Sequence, residues 1–317
     1  MKVGLDVGGT KTDAVVVDEH GAIAARVRLA TGWGGEEIIR TVVAAVHAVA
    51  TDAAIDLRSI SSVGVGIPGQ VDAVTGRVAH AVNLGVEELE LAAELAPRLG
   101  VAVRVENDVK AAALGANALR VGALGLGLHR GSMAYLNLGT GVAAGIVVDG
   151  DLWRGARGTA GEVGHISIDP AGPLCRCGQH GCIEALAGGG AVAQRWGRGG
   201  ALPVLEVFDA ADAGDGKARE LRSGIARGVA AAIRVLVLTG DVDVVVLGGG
   251  LTALGDRLKT DVSAELAASA EASPFMRSLR LDERVELLPA GSPAAALGAA
   301  LIGAARDPEP EEALAHG

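Results

Sequence analysis

The stretch "MAYLNLGTGVAAGIVVDG", residues 133–150, repeats in outline the stretch "KVGLDVGGTKTDAVVVDEHG" at residues 2–21. Each reads as a β-strand, a turn of glycine and threonine, and a second strand that ends at a polar turn. The two stretches open the two halves of the chain. This repetition predicts duplicated α/β domains with a cleft between them.

The segments around these two stretches alternate between strand and helix patterns. "EEIIRTVVAAVHAVATD" has apolar residues at helical spacing, and "SSVGVGIPGQVD" is typical of a buried strand that runs into a Pro-Gly turn. A helix is predicted to begin at Asn107 and Asp108. Near the end, "VDVVVLGGGLTALGDRLK" predicts a strand, a triple glycine and a helix, and "RVELLPA" with "SPAAALGAALIGAA" predicts a closing strand and helix.

Composition and charge exclude several classes of function. The chain has 317 residues and a formal net charge of −10, which argues against a nucleic-acid-binding surface. The uncharged run 131–148 is long enough to raise the question of a membrane span, but its valines and isoleucines suit buried strands. Asp6 comes too early for a signal peptide, so we predict a cytoplasmic protein without membrane or nucleic-acid partners.

Two glycine turns are candidates for phosphate binding, "DVGGTKT" (residues 6–12) and "LGTGVAAG" (residues 138–145). Glycines let successive backbone N–H groups converge on an anion, and Thr10 and Thr140 add hydroxyl donors. Either turn alone is more typical of a plain hairpin, but two copies at matching places favour phosphate contact. A Walker-type P-loop pattern is missing. "LGGGLTA" (residues 247–253) leaves a dinucleotide site as an alternative.

Asn107 and Asp108 stand at a predicted strand-to-helix junction in "RVENDVKAAALG". Helix capping alone would explain both residues. However, ligands of α/β domains bind at the carboxyl ends of strands. A carboxylate at that position can accept the proton of a sugar hydroxyl, so Asp108 is the candidate general base.

All three cysteines of the chain lie within "CRCGQHGC", residues 175–182. Cys175, Cys177 and Cys182 with His165 would form a Cys₃His set, which suits a closed tetrahedral zinc site. The alternatives are small buried cysteines, a disulfide between two of them, or His180 as the fourth ligand. A structural zinc would tie the segment of Glu162 and His165 to Glu184.

Seven motifs occur in the order and spacing of the ROK family, which groups bacterial sugar kinases with repressors in the actin-like ATPase superfamily. They are "DVGGTKT", "GIPGQVD", "ENDVKAAALG", "LNLGTGVAAGIVVDG", "GEVGHISI", "CRCGQHGCIE" and "VVVLGGG". The resemblance implies two actin-like, ribonuclease H-like α/β domains with an inter-domain cleft and a small zinc-binding knuckle. The first domain would consist of residues 1–115 and be completed by a helix at about 293–306. The second domain would consist of residues 116–292 and include the zinc knuckle at 165–182. Residues 307–317 would form a disordered tail.

The resemblance also implies roles for individual residues. Asp108 resembles the catalytic base. The sugar-binding set would be Gly69, Asn83, Asn107, Asp108, Glu162, His165 and Glu184. The nucleotide-binding set would be Asp6, Gly8, Gly9, Thr10, Lys11, Gly139, Thr140, Gly141, Gly248, Gly249 and Gly250. The zinc ligands would be His165, Cys175, Cys177 and Cys182.

The implied activity is an ATP- and Mg²⁺-dependent kinase that phosphorylates the 6-hydroxyl of a hexose or N-acetylhexosamine, working as a homodimer. N-acetylglucosamine is favoured as the acceptor, with glucose or mannose close behind. A sugar-sensing regulator without kinase activity is the alternative, although the sequence begins its first strand at Lys2 and shows no helix-turn-helix module before it. A sugar- or zinc-binding protein without enzymatic activity is a third reading.

Overall fold

The computed structural model describes residues 1–124, 131–271 and 273–304. It consists of two compact units. The first unit is Met1–Ala118 together with the segment that begins at Pro293, and the second is Leu119–Ser292. The predicted tail 307–317 and the last two residues of the predicted closing helix lie outside the described residues.

The first unit is built on a five-stranded sheet in the order β3-β2-β1-β4-β8. β1, β2 and β3 are antiparallel neighbours, whereas β1, β4 and β8 run parallel. The carboxyl ends of β1, β4 and β8 therefore lie along one edge. The strands are β1 (Lys2–Val7), β2 (Lys11–Val17), β3 (Ile23–Ala30), β4 (Ser62–Ile67) and β8 (Val103–Asn107), and a smaller sheet holds β5 (Gln70–Asp72), β6 (Arg77–Ala81) and β7 (Val86–Leu89).

Four helices accompany these strands: α1 (Gly35–Asp52), α2 (Leu91–Leu99), α3 (Asp108–Leu124) and α10 (Ala294–Ala304). α10 packs directly on the backbones of β1 and β4. A Cβ atom on Gly4 would lie 2.0 Å from the carbonyl oxygen of Ala296, and one on Gly64 would lie 1.7 Å from that of Ala299. Glycine at these two positions lets the last helix lie against the sheet that carries the start of the chain.

The second unit repeats the same strand arrangement. Its sheet has the order β11-β10-β9-β12-β13, with β9, β10 and β11 antiparallel and β9, β12 and β13 parallel. The strands are β9 (Ser132–Leu138), β10 (Val142–Val148), β11 (Asp151–Leu152), β12 (Val244–Gly248) and β13 (Val285–Leu287). The predicted α/β class and the repetition of the two halves are confirmed.

The uncharged run 131–148 forms β9 and β10, as the valine and isoleucine content predicted. Within residues 1–124, 131–271 and 273–304, no helix combines the length and the apolar character that crossing a bilayer requires. The helices of this unit are α4 (Ile183–Ala187), α5 (Gly189–Trp196), α6 (Pro203–Asp212), α7 (Gly216–Gly240), α8 (Asp256–Glu271) and α9 (Pro274–Ser278). Apolar side chains of α6, α7 and α8 pack with those of β9, β10 and β12 in one core.

Candidate active site

The parallel strands of the first unit bring two aspartates to one edge of the sheet. Asp6 is the penultimate residue of β1, and Asp108 follows β8 as the first residue of α3. β4 lies between them, and its Gly66 approaches Asp108 closely, since a Cβ there would lie 3.6 Å from the Asp108 Cα. The same Cβ would lie 3.1 Å from the Cβ of Ala111, so Gly66 lets the first helical turn of α3 pack closely on β4.

Asp6 has an unusual protonation equilibrium. Burial of its carboxyl, together with the nearby charges of Asp108 and Asp13, raises its pKa from 3.8 to about 7. Arg28 and Arg26 oppose this shift. Two carboxylates that interact in this way at the ends of parallel strands form an acidic edge of the first unit, and perturbed acids of this kind are typical of functional sites.

Asn107 has a clear structural role. Its Oδ1 accepts hydrogen bonds from the backbone N–H groups of Val109 and Lys110 at 3.0 and 3.3 Å, so it caps α3. Its Nδ2 donates to the carbonyl of Gly69 at 3.3 Å. Gly69 has a φ of +110°, which glycine adopts readily. Asn107 therefore fixes both the start of the helix that carries Asp108 and the loop after β4.

The turn between β1 and β2, residues 8–10, is here called the first turn. The N–H of Gly8 donates to the carbonyl of Lys11 at 3.0 Å, and the backbone carbonyl of Thr10 accepts from the N–H of Thr31 at 3.1 Å. A Cβ on Gly9 would lie 3.1 Å from the carbonyl oxygen of Asn83. The first unit thus brings its predicted nucleotide-binding turn next to Asn83, one of the predicted sugar contacts.

The corresponding turn between β9 and β10, residues 139–141, is here called the second turn. It closes with a hydrogen bond from the N–H of Gly139 to the carbonyl of Gly141 at 3.1 Å. The N–H of Val142, the next residue, donates to Oε2 of Glu184 at 2.9 Å. Glu184 was predicted to contact sugar, and the structure places its carboxylate against the backbone of the second turn.

Two further glycine segments hold the second turn. The N–H groups of Gly189 and Gly190 donate to the carbonyls of Gly139 and Thr140, each at 2.9 Å. Gly249 has a φ of +86°, and a Cβ there would lie 2.6 Å from the Leu138 carbonyl. Sequence reasoning found residues 248–250 but missed the glycine junction 188–190, between α4 and α5. The run "GGG" at 188–190 was the available signal.

The segment of Glu162 and His165 lies against β10. The N–H of Ala144 donates to the carbonyl of Gly161 at 2.7 Å, and a Cβ on Gly164 would lie 1.9 Å from the Val142 carbonyl oxygen. Glu162 itself is exposed. The second unit therefore assembles Glu162, His165 and Glu184 around the first residues of β10, directly after the second turn.

The side chains of His165, Cys175, Cys177 and Cys182 converge. Their ligand atoms all lie within 4.8 Å of one another. The Sγ atoms of Cys177 and Cys182 are 3.7 Å apart, and Sγ of Cys175 is 3.9 Å from Nδ1 of His165. A tetrahedral zinc site with Zn–S distances of about 2.3 Å has edges of about 3.8 Å. The donor set therefore fits zinc in both chemistry and spacing.

The thiols do not share one environment. Burial raises the pKa of Cys182 to about 12, whereas hydrogen bonds from Gln179 lower the pKa of the exposed Cys177 to about 6. A bound cation would favour the thiolate at each position. His180 is not in the cluster; its Nδ1 lies 3.0 Å from the carbonyl oxygen of Gly172.

"LGGGLTA" follows a strand and precedes helical structure, as predicted, but the α-helix does not begin directly at the glycines. The glycines follow β12, and the last of them, Gly250, begins a short 3₁₀ helix. A 3₁₀ turn covers Gly250–Leu254, and α8 begins only at Asp256, after Gly255 with its φ of +55°. A dinucleotide site needs a helix N-terminus directly at the glycines, so this geometry disfavours that alternative.

The comparison with protein families agrees with the motifs. The model of the ROK family matches residues 2–305. The chain belongs to the ROK family. This assignment confirms the family predicted from the seven motifs.

Relatives of known activity support the same class of enzyme. A glucokinase of Halalkalibacterium halodurans is 31% identical over 84% of this chain and 86% of its own length. An N-acetylmannosamine kinase of Yersinia pseudotuberculosis is 30% identical over 82% of this chain and 87% of its own. The predicted enzyme class, a sugar kinase, is confirmed.

Solved structures share the fold over nearly the whole chain. A ROK hexokinase from Thermus thermophilus superimposes with a TM-score of 0.75 at 34% identity, covering 96% of this chain and 98% of its own. A ROK family glucokinase from Streptomyces griseus, solved in complex with glucose and AMPPNP, has a TM-score of 0.73 at 30% identity. The match covers 95% of this chain and 98% of the glucokinase. The predicted actin-like fold class is confirmed by these matches.

Proposed function

We propose that this ROK sugar kinase transfers the γ-phosphoryl group of ATP to the 6-hydroxyl of a hexose, with glucose as the first acceptor to test. Glucose is favoured because the relatives include glucokinases and the Streptomyces griseus enzyme binds glucose with AMPPNP. N-acetylhexosamines are the second acceptor class, since one relative is an N-acetylmannosamine kinase. The preference for N-acetylglucosamine and the homodimer stay predictions.

The observation that carries this proposal is the acidic edge of the first unit. Asp108 stands at the carboxyl end of a parallel strand, close enough to Asp6 to raise the pKa of Asp6. Asp108 would accept the proton of the sugar hydroxyl during its attack on the phosphorus. General-base assistance of this kind contributes about 10²–10⁴-fold to the rate.

The two turns would hold the nucleotide. Phosphoryl transfer requires in-line positioning and stabilisation of charge, and the protein forms few covalent bonds itself. Backbone N–H groups and the hydroxyls of Thr10 and Thr140 would bind phosphate oxygens. Gly250, of the same predicted nucleotide-binding set, has no atom within 4 Å of the position that a Cβ would take, which would leave room for the nucleotide. Mg²⁺, when bound, would neutralise phosphate charge, and Asp6 would reach its hydration shell through water.

The Cys₃His cluster would bind structural zinc. The metal would join the segment 161–165 to the start of α4, so the side chains of Glu162, His165 and Glu184 would stay fixed for sugar binding. Because Nδ1 of His165 faces the thiols, Nε2 is the nitrogen that would reach a sugar hydroxyl.

A coupled assay of ADP release tests the proposal. Purified protein with Mg²⁺ and ATP is incubated with glucose, mannose, N-acetylglucosamine and N-acetylmannosamine in turn, with no sugar as the control. We expect sugar-driven ADP release with at least one acceptor and a sugar 6-phosphate as the product. Sugar binding without ADP release would favour the regulator alternative and contradict the kinase.

A further inference from the structure

Glu184 makes an interaction that its predicted sugar contact does not require. Its Oε2 accepts the hydrogen bond of the Val142 N–H at 2.9 Å. A Cβ on Gly141 would lie 2.4 Å from this same oxygen. The carboxylate therefore packs on the backbone of the second turn, where only glycine leaves it room.

The residues that follow the helix of Glu184 contact the second turn as well. α4 begins after Cys182, one of the clustered thiols, and its carbonyl at Glu184 accepts the N–H of Gly188 at 2.8 Å. The next two N–H groups, of Gly189 and Gly190, donate to the carbonyls of the turn at 2.9 Å each. The turn is thus held by the Glu184 side chain from α4 and by the first two backbone N–H groups of α5.

We propose that Glu184 is a positioning residue for the nucleotide, because it fixes the second turn in the conformation that receives phosphate. This inference rests on the proposed function and gives Glu184 a role on the ATP side of the reaction as well as the sugar side. A hydrogen bond to a charged acceptor is stronger than a hydrogen bond to a neutral acceptor. Loss of the Glu184 carboxylate would leave the N–H of the buried Val142 without this partner.

Binding of Mg²⁺·AMPPNP in the absence of sugar separates this role from sugar binding. We would measure its Kd by calorimetry for the wild type, Glu184→Ala, Glu184→Gln and, as the matched control, Glu162→Ala. Glu162 is an exposed glutamate of the same predicted sugar-binding set. We expect Glu184→Ala to weaken AMPPNP binding about tenfold, since the turn loses its acceptor. Glu184→Gln keeps an acceptor oxygen and should stay within about threefold of the wild type.

Hydrogen exchange of a peptide covering residues 138–145 provides a readout that needs no nucleotide. It should be faster in Glu184→Ala than in the wild type and unchanged in Glu162→Ala. Equal AMPPNP affinity and equal exchange in Glu184→Ala and the wild type would overturn the inference while leaving the kinase intact. A wild type that binds no AMPPNP and phosphorylates no sugar would instead overturn the proposed function, and this inference with it.

Discussion

The first and second turns occupy the same place in two sheets of the same strand order, yet they are held differently. The first turn is a hairpin turn with one closing hydrogen bond, a bond from Thr31 and the backbone of Asn83 beside it. The second turn is held in addition by Glu184 and by the N–H groups of Gly189 and Gly190, and Gly249 lies close to Leu138, directly before the turn. The two strand–turn–strand units are therefore alike in strand order but differ in the residues that contact their turns.

The residue two positions before each turn differs in charge. Asp6 stands before the first turn and Asn137 before the second. The carboxyl of Asp6 titrates near neutral pH, whereas the amide of Asn137 is neutral and lies between two glycine segments, with Oδ1 2.7 Å from the Cβ position of Gly249. The edge beside the first turn therefore carries a titratable carboxyl, whereas the second turn is distinguished by the contacts that fix its backbone.

The largest expected effect concerns the Cys₃His cluster, because the proposed zinc would stabilise the surroundings of the second turn and not those of the first. Cys177→Ser should lose zinc, and with it roughly 4 kcal/mol of stabilisation if zinc is supplied at 1,000 times its Kd. This corresponds to a fall of about 10 °C in the unfolding midpoint. Zinc content and thermal unfolding would be measured together.

His180→Ala is the matched control for this variant, because His180 lies in the same knuckle but outside the ligand cluster. It should keep its zinc. A chelator that leaves the unfolding midpoint of the wild type unchanged would show that no metal supports the second turn.

A smaller effect is expected from added methyl groups. Gly249→Ala would place a Cβ 2.6 Å from the backbone of Leu138 and force a residue with a side chain into a φ of +86°, at a cost of roughly 3 kcal/mol. In Gly9→Ala the added Cβ would lie 3.1 Å from the carbonyl oxygen of Asn83. The free energy of unfolding should fall by less than about 1 kcal/mol. Urea unfolding of both variants measures the difference. Equal losses would mean that the two turns are equally constrained.

The third effect depends on pH. Because the native pKa of Asp6 is raised from 3.8 to about 7, the native state binds more protons than the unfolded state between these values, and stability falls as pH rises. Asp6→Asn removes this loss. Its stability relative to the wild type should therefore grow by about 1.4 kcal/mol per pH unit across this window, then level off.

We would measure the free energy of unfolding of the nucleotide-free wild type and Asp6→Asn at pH 5 and pH 8. The difference in favour of Asp6→Asn should grow by roughly 3 kcal/mol between the two pH values. The reverse substitution before the second turn is Asn137→Asp, and the free energy of unfolding of this variant should fall as pH rises. Parallel pH profiles for the wild type and Asp6→Asn would contradict the raised pKa and the contrast between the turns.

The sequence predicted the parts of the site that local pattern encodes. The strands around both turns, the helix that begins at Asp108 and the clustering of three close cysteines with His165 all follow from spacing over a few residues. The contact between Glu184 and Val142 spans 42 positions and depends on how α4 packs, so no local pattern reports it. The sequence also did not predict that a 3₁₀ helix, which ends before Gly255, separates residues 248–250 from α8.

The most direct test of the account is the turnover of Asp108→Asn. The amide keeps the shape of the side chain but cannot accept the proton of the sugar hydroxyl. With Asp72→Asn, an exposed aspartate of the same unit, as the control, we expect kcat to fall about 10²–10⁴-fold while the Kd for glucose stays within about threefold. A kcat within about tenfold of the wild type would show that Asp108 is not the base and would contradict the proposed mechanism.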